Sequence, residues 1–199
     1  DTSTLGYIPS SYSFPNNLWP LILAGFFSVI KFATWMGYMD FQRILTITIS
    51  ILTIIPLYFL LKKYFEHPYP VIGVALFALE PRIIQNSLSG LTDSLFIFLG
   101  VSTLVLFLDN RMSLVYASFA TLGLFSLARY EGLLLFVPLT IMFFIRFRNK
   151  KSIIRYMIAF SIFIIVLTPM AYIRIQTTGQ DGLTSHLFEG AKIASENMV

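Results

Sequence analysis

The stretch Leu88-Ser-Gly-Leu-Thr-Asp93-Ser-Leu-Phe-Ile-Phe98 places one carboxylate, that of Asp93, at the join between two long apolar runs. An ionisable side chain at the edge of a hydrocarbon layer is costly to keep there, and by default it marks a functional site. Farther along the chain, Arg129-Tyr130-Glu131-Gly132 repeats the arrangement, with charged residues between two more apolar runs. The sequence predicts a site at these two stretches.

The composition is that of a membrane protein. Hydrophobic residues make up 56% and charged residues 12% of the chain, and the mean hydropathy is +0.77, whereas a soluble domain carries about 25% charged residues. The net charge of +4 is distributed among short loops without a basic patch interleaved with aromatic residues, so we expect no nucleic-acid partner. The absence of cysteine excludes disulfides and thiolate metal sites.

The apolar runs predict an all-α fold, a polytopic transmembrane helix bundle in one module over residues 1–199. Residues 1–17 are polar and are expected to form an outer loop. Residues 18–33 are too short an apolar run for a full span and predict a juxtamembrane helix in the headgroup layer, with a short tilted span as the alternative. Six transmembrane helices are predicted within residues 43–173, at 43–61, 70–86, 93–108, 113–128, 132–147 and 153–173, followed by an outer loop at 174–199.

The loop charges predict the orientation. One set of loops receives most of the Lys and Arg residues, among them Lys62, Lys63 and Arg146, and is cytoplasmic by the positive-inside rule. The opposite loops carry Asp93 and the Arg129/Glu131 pair, which places these residues at the exoplasmic face. We therefore expect a multi-pass integral protein, of cell-membrane or endoplasmic-reticulum type, whose polar groups converge outside. Because the chain begins at Asp1 without Met, we expect it to be an internal fragment of a longer protein.

Each charged residue has a structural interpretation beside the functional one. Asp93 follows Thr92 at the start of a predicted span, where it would cap the helix, although a helix N-terminus also attracts phosphate. In the structural interpretation, Arg129 and Glu131 pair with each other or extend to the interface. In the functional one, Arg129 binds a phosphate through charge-assisted, bidentate hydrogen bonds while Glu131 orients it.

Two further charges lie inside the predicted span 70–86. A lone charge at that depth is costly, so we expect Glu80 and Arg82 to have partners or to face a wet cavity, and a structural ion pair is the favoured role. Arg43 and Arg129 are candidate partners for Glu80. His186 and Glu189 share a spacing that fits one helix face, but two residues do not make a metal site, and the sequence predicts none.

At these residues the chain resembles the GT-C superfamily of integral-membrane glycosyltransferases, which take sugars from polyprenyl-phosphate carriers. Glu80-Pro81-Arg82 leading to Leu91-Thr92-Asp93-Ser94-Leu95-Phe96 is similar to a pattern in GPI mannosyltransferases, where a Glu usually stands at the Asp93 position. Ala128-Arg129-Tyr130-Glu131-Gly132 resembles the Thr-Arg-x-x-Gly stretch of protein O-mannosyltransferases and their bacterial relatives. The stretch from Gly6-Tyr7 to Trp19-Pro20-Leu21-Ile22 looks like the end of a first outer loop and its juxtamembrane helix.

The resemblance implies transfer of a sugar, mannose or another hexose, from a polyprenyl- or dolichyl-phosphate donor to an acceptor hydroxyl at the outer face. It assigns Arg129 to the donor phosphate and Asp93 to positioning of the acceptor or sugar. Glu131, Arg82 and Tyr7 are the remaining expected substrate-binding residues. The lipid-linked sugar donor is the implied cofactor, with a divalent cation as a further option, and membrane lipids are the expected partners.

The resemblance also leaves the principal catalytic base open. In this superfamily the catalytic carboxylate usually lies in the first outer loop, most of which would precede Asp1. Asp1 is a weak candidate for that role, because its distance from Tyr7 departs from the usual Asp-x-x-x-Tyr-like pattern. We expect the base upstream of this fragment.

Two other classes of function compete with the enzyme. One is a non-catalytic membrane subunit or scaffold of a larger complex. The other is a transporter, which would place its polar groups near the midplane between paired repeats. The polar groups here cluster at one face and no repeat is visible in the sequence, so the transporter ranks last.

Overall fold

The computed structural model describes residues 18–148 and 152–178, and side chains up to Ile173. The described residues are α-helical apart from short connections and one 3₁₀ segment, and contain no strand. The all-α class predicted from the apolar runs is confirmed. In chain order the elements are α1 (Leu18–Val29), α2 (Trp35–Leu52), α3 (Ile54–Lys62), α4 (Tyr69–Leu79), α5 (Pro81–Leu88), α6 (Asp93–Phe107), α7 (Met112–Ala128), the 3₁₀ segment (Tyr130–Leu135), α8 (Phe136–Arg146) and α9 (Ser152–Thr178).

Helix length separates elements that can cross a membrane from those that are too short. Within the described residues, Trp35–Lys62 (α2 with α3) and Ser152–Ile173 are long and apolar enough to cross, and α4 with α5 would be a third span if counted together. The apolar helices α6 and α7 have 15 and 17 residues. At about 1.5 Å per residue both are shorter than a hydrocarbon core of about 30 Å. By length and composition, two or three helices among the described residues could therefore cross a membrane, and the six-span arrangement stays a prediction.

The element bounds differ from the predicted ones where the sequence gives no sharp stop signal. The first predicted span, 43–61, is part of a helical stretch that begins at Trp35, and the predicted helix at 18–33 ends at Val29. The predicted span 132–147 begins as the 3₁₀ segment and becomes α-helical only at Phe136. Apolar composition locates each element better than it locates its first residue.

The predicted span 70–86 is broken at Glu80. Pro81 has no N–H for the helix ladder, and its ring disfavours helical geometry at the preceding residue. Glu80 accordingly has φ −64° and ψ 118°, and α4 and α5 meet at an angle of 50°. The break directs α5 away from the axis of α4 and leaves Glu80 and Arg82 exposed.

The core is built around α7, which packs most extensively against α6 and α9. Small residues allow the helices to approach closely, as is common in membrane bundles. A Cβ added at Gly123 would lie 2.8 Å from Val166 Cγ1 of α9, and one at Gly100 of α6 would lie 3.0 Å from the Phe125 ring. The buried side chains of α7 include Val115, Phe119 and Leu122.

Arg146 lies at the C-terminal end of α6, where it contacts the last turn of that helix. Its Nη1 donates to Phe107 O, and its Nη2 donates to Asp109 O at 2.7 Å and to Asn110 Oδ1 at 3.0 Å. The last carbonyls of a helix lack partners within the helix, and a cation there also interacts favourably with the helix dipole. Arg146 therefore joins the end of α8 to the connection between α6 and α7.

Replacing Arg146 with Ala should destabilise this end of the fold. Hydrogen bonds to a charged group contribute about 1.5–3 kcal/mol, so we expect the free energy of unfolding to fall by about 2 kcal/mol. The matched control is Arg148→Ala, since Arg148 is exposed and lies only two residues farther along. Thermal unfolding in detergent compares the two variants, and equal midpoints would contradict the role given to Arg146.

Candidate functional site

The site forms where the first residue of α6 meets the residue that follows α7. Arg129 Nη1 donates to Asp93 Oδ1 at 2.5 Å, and Arg129 Nη2 donates to Glu131 Oε1 at 3.1 Å. Asp93 lies at the positive end of the α6 dipole and Arg129 at the negative end of the α7 dipole, so each charge is placed at the favourable helix end. We call Asp93, Arg129 and Glu131 the charged cluster.

Gly132 allows the chain to turn tightly after α7. Its N–H donates to Arg129 O at 2.9 Å, and a Cβ at this position would lie 2.8 Å from both Phe125 O and the Phe125 ring. A side chain would force the 3₁₀ segment away from α7. Since Glu131 lies in the first turn of that segment, the glycine keeps its carboxylate within reach of Arg129.

Two aromatic rings support the guanidinium. The rings of Phe96 and Phe125 stack with centroids 4.2 Å apart and planes inclined by 16°, and Arg129 Cζ lies over the Phe96 ring, 5.5 Å from its centroid. Phe96 is three residues after Asp93, so both side chains lie on the same side of α6. The ring contributes a cation–π contact and limits the positions that the guanidinium can take.

Two polar side chains of α2 hold the connection that leads into Asp93. Gln42 Nε2 donates to Gly90 O at 2.6 Å, and Thr46 Oγ1 lies 2.6 Å from Ser87 O, to which it donates. Gly90 has φ +72°, a left-handed conformation that glycine adopts without steric cost. The start of α6 is therefore fixed against α2 as well as against α7.

The charged cluster is only partly shielded from solvent. The side chains of Arg129, Asp93 and Glu131 are 35%, 25% and 36% exposed, so each pair contributes on the scale of a screened surface salt bridge, about 0–1 kcal/mol. Two carboxylates and one guanidinium give the cluster a formal charge of −1. A second anion at Arg129 must therefore compete with carboxylates already bound there.

The pKa values of the two groups after α7 shift in the directions expected of an ion pair. The hydrogen bond with Glu131 raises the pKa of Arg129 above its ordinary value, against the opposing effect of burial. Burial raises the pKa of Glu131, but the hydrogen bonds from its own backbone N–H and from Arg129 outweigh this, so the pKa of Glu131 lies below its ordinary value. Glu131 is therefore a carboxylate at neutral pH.

The cluster retains hydrogen-bonding capacity that the fold does not use. The bonds to Asp93 and Glu131 engage two of the five N–H donors of a guanidinium. Among the described residues, Arg129 Nε and Glu131 Oε2 are shielded from solvent and have no hydrogen-bonding partner. Such atoms are uncommon in folded proteins, and they leave both a donor and an acceptor for a ligand.

An apolar groove begins at the charged cluster. It has a volume of about 510 Å³, is open along one side, and lies between α6, the end of α7 and the 3₁₀ segment with α8. Glu131 is the charged residue of its lining, and the remaining lining residues are Phe96, Ile97, Gly100, Val101, Leu104, Phe125, Leu134, Leu135 and Pro138. We call this the α6–α8 groove, and it joins the charged cluster to a surface suited to a hydrocarbon chain.

The other residues singled out in the sequence lie apart from this cluster. Arg43 pairs with Asp40 at 3.4 Å and Arg129 pairs within the cluster, so neither forms the ion pair expected with Glu80. Arg82 is exposed on α5. Asp1 and Tyr7 lie outside the described residues, as do His186 and Glu189.

The expected N-cap role of Asp93 is wrong, because Asp93 is the first residue of α6 and Thr92 occupies the N-cap position. Its carboxylate is bound by Arg129, 36 residues farther along the chain. The alternative pairing of Arg129 with Glu131 is present, and it coexists with the Asp93 pair. Sequence reasoning missed Phe96 and Gln42. The spacing of Phe96 from Asp93 was a usable signal, whereas the chain holds no local signal for the contact between Gln42 and Gly90.

The described residues do not fit a divalent cation. They contain no group of three or more His, Cys, Asp or Glu side chains close enough to hold a metal ion. Arg129 also lies between the two carboxylates of the charged cluster and supplies their positive partner.

Comparisons of the chain with protein-family models, curated proteins and solved structures give no match.

The lowered pKa of Glu131 predicts a pH-dependent contribution to stability. The contribution is present above the ordinary Glu pKa of about 4.3 and is lost as the pH falls through the folded-state value. Glu131→Gln should therefore lower the thermal midpoint at neutral pH and change it little in acid, where the wild-type carboxylate is itself protonated. Unfolding scans of both proteins in detergent across this range check the prediction.

The matched control is Glu66→Gln, because Glu66 is exposed and takes no part in the ion pairs of the described residues. A difference between wild type and Glu131→Gln that stays constant from neutral to acidic pH would show that the carboxylate charge is not its cause.

Proposed function

We propose that this chain is part of a GT-C-type membrane glycosyltransferase that transfers a hexose from a polyprenyl-phosphate donor to an acceptor hydroxyl. The observation that carries the proposal is the charged cluster at one end of the open α6–α8 groove. A lipid-linked sugar has parts that match this arrangement in order: a long apolar chain for the groove, and an anionic phosphate and a polar sugar for the charged cluster.

The position of the groove favours a substrate that enters from the lipid phase of the membrane. Because charged side chains are costly inside the hydrocarbon core, we propose that the charged end of α6 and α7 lies at the headgroup layer. The α6–α8 groove extends from Phe96 to Leu104 along α6, about 12 Å at the helical rise. A chain in this groove would bring its phosphate to the level of Arg129.

Arg129 is proposed to hold the donor phosphate. Its planar fork fits two phosphate oxygens, and it stays charged at any working pH. Because the cluster already carries a charge of −1, the phosphate would take the place of a carboxylate on the guanidinium. Glu131 lines the groove and is the nearer candidate for displacement, which would free its carboxylate to orient the sugar while Asp93 stays bound.

The transfer step needs a base and a stabilised leaving group. The acceptor oxygen attacks the anomeric carbon, the bond from that carbon to the phosphate oxygen breaks, and the phosphate leaves with the electron pair. The acceptor proton passes to a carboxylate. Arg129 would stabilise the charge that develops on the phosphate. Asp93 is proposed to position the acceptor or the sugar, and the principal base is not assigned to the charged cluster.

A non-catalytic membrane subunit is the second candidate. The observation that favours it is that Arg129 is already paired with two carboxylates, which is the arrangement expected of a joint between helix ends. In that case the charged cluster would stabilise the fold without binding a donor.

Arg129 variants distinguish these functions. In the full-length protein, Arg129→Ala should raise the activation free energy of hexose transfer by about 2–5 kcal/mol, by analogy with removing one partner of a charge pair that is shielded from water, here by the bound donor. Arg129→Lys keeps the charge but loses the fork, so its activity should fall between those of wild type and Arg129→Ala. Initial rates with a polyprenyl-phosphate hexose, normalised to folded protein, provide the measurement.

The matched control is Arg43→Ala, since Arg43 forms an exposed ion pair outside the charged cluster. Its turnover should equal that of wild type. Wild-type turnover in Arg129→Ala would remove Arg129 from the reaction. If the sole effect of Arg129→Ala is a lower unfolding temperature, the result would favour the non-catalytic subunit.

The proposed topology is multi-pass with six spans, and the proposed orientation places the charged cluster at the exoplasmic face. Single cysteines at Ser89 and Ser113 test it, because both positions are exposed and lie at opposite ends of the α5–α7 region. An impermeant thiol reagent added from outside intact cells should label the Ser89→Cys protein and not the Ser113→Cys protein. Labelling of both, or only of Ser113→Cys, would overturn the orientation.

A further inference from the structure

A second apolar groove lies on another side of α6, toward the end opposite the charged cluster. It has a volume of about 350 Å³ and separates the α2–α3 helix from α6. Its lining includes Pro56 and Phe59 of α3 and Phe98, Ser102 and Val105 of α6. These positions recur at three- and four-residue intervals, so each helix presents one face to the groove. We call this the α3–α6 groove.

The groove is exposed although it is apolar. Phe59 remains 52% exposed and Ile55, which also lines the groove, remains 55% exposed. The small side chain of Ser102 lies between the larger ones of Phe98 and Val105 and leaves room along α6. An apolar surface of this shape is suited to a hydrocarbon chain lying along it.

A lysine stands at the end of the α3–α6 groove. Lys63 Nζ donates to Val105 O at 3.2 Å, and Val105 is itself a lining residue. The ammonium group is exposed, with two further donors beyond this bond. A negatively charged group at the mouth of the groove would therefore meet a cation already fixed to the groove wall.

The surrounding charge is also positive. The ends of α3, α6 and α8 meet here, as the bond from Lys63 to Val105 O and the bond from Arg146 to Phe107 O show. Among the described residues of these ends and their connections, the acidic side chains are Glu66 and Asp109, and the basic ones are Lys62, Lys63, Arg111, Arg146 and Arg148. The excess of positive charge selects an anionic ligand.

We propose that the α3–α6 groove binds an anionic phospholipid of the surrounding bilayer. One acyl chain occupies the groove and the lipid phosphate contacts Lys63. A zwitterionic lipid has the same chains, but its headgroup cation is repelled by the basic residues, so the site discriminates by charge. Basic clusters next to membrane helices attract anionic lipids in this way. The proposal requires only that the chain is embedded in a membrane and does not depend on glycosyl transfer.

The site is separate from the proposed donor site. From Asp93 to Val105 is twelve residues along α6, about 18 Å at the helical rise. At the Asp93 end Arg129 is already paired with two carboxylates, whereas Lys63 makes one bond to the groove wall and keeps two further donors for a headgroup. The two grooves are therefore distinct sites, with different linings and with different charged residues at their ends.

Native mass spectrometry of the delipidated full-length protein tests the proposal. Phosphatidylglycerol and phosphatidylcholine with identical acyl chains are titrated separately. Phosphatidylglycerol should bind at least about five-fold more tightly than phosphatidylcholine. Lys63→Gln should lower the affinity for phosphatidylglycerol about five-fold, as expected for one lysine near an anionic headgroup. Lys63→Arg should retain the preference. Soluble glycerol phosphate at the same concentration should not displace the lipid, because it lacks the acyl chain.

Two further variants separate the groove from the charge. Ser102→Leu fills the groove and should lower the affinity for both lipids by a similar factor. Ser102→Thr should have a smaller effect in the same direction, and it serves as the second variant if Ser102→Leu misfolds. The matched control is Lys31→Gln, an exposed lysine in the connection between α1 and α2, which should leave binding unchanged. Equal affinity for the two lipids, no difference between Lys63→Gln and Lys31→Gln, or no effect of either Ser102 variant would overturn the proposal.

Discussion

The contact of Arg129 with Asp93 and Glu131 ties together the two helix ends on which the rest of this structure depends. A guanidinium at the edge of an apolar bundle is tolerated only when its charge is balanced nearby. Here one carboxylate comes from the first turn of α6 and the other from the 3₁₀ segment after α7. The cluster therefore joins three elements, and Phe96 and Gly132 hold it at the geometry observed.

α6 is the element on which both proposed sites are built. One of its faces lines the α6–α8 groove and another lines the α3–α6 groove. Its N-terminal end carries the charged cluster, and Lys63 and Arg146 bind backbone carbonyls at its C-terminal end. The apolar sides of one short helix are thus combined with different charged residues at its two ends, a guanidinium paired with two carboxylates at one end and an excess of basic side chains at the other.

Breaks in the helices contribute as much to the arrangement as the helices do. Pro81 separates α4 from α5, and Gly90 in its left-handed conformation allows the chain to turn into α6. Gln42 and Thr46 of α2 bind the backbone of this region, so a chain segment with little apolar surface of its own is held by hydrogen bonds. In an apolar environment such bonds satisfy backbone carbonyls that water does not reach.

The sequence by itself determined the helical class and the position of most helices, because apolar run length and proline placement are local properties of the chain. It also identified Asp93, Arg129 and Glu131 as the residues to examine, since charges between apolar runs are visible without a structure. Only the tertiary structure decided that one guanidinium binds both carboxylates, that Phe96 supports it, and that Glu80 is exposed instead of paired with Arg43 or Arg129. Helix packing brings together residues distant in sequence, and its outcome depends on close fits such as Gly132 against Phe125 O, which no local pattern encodes.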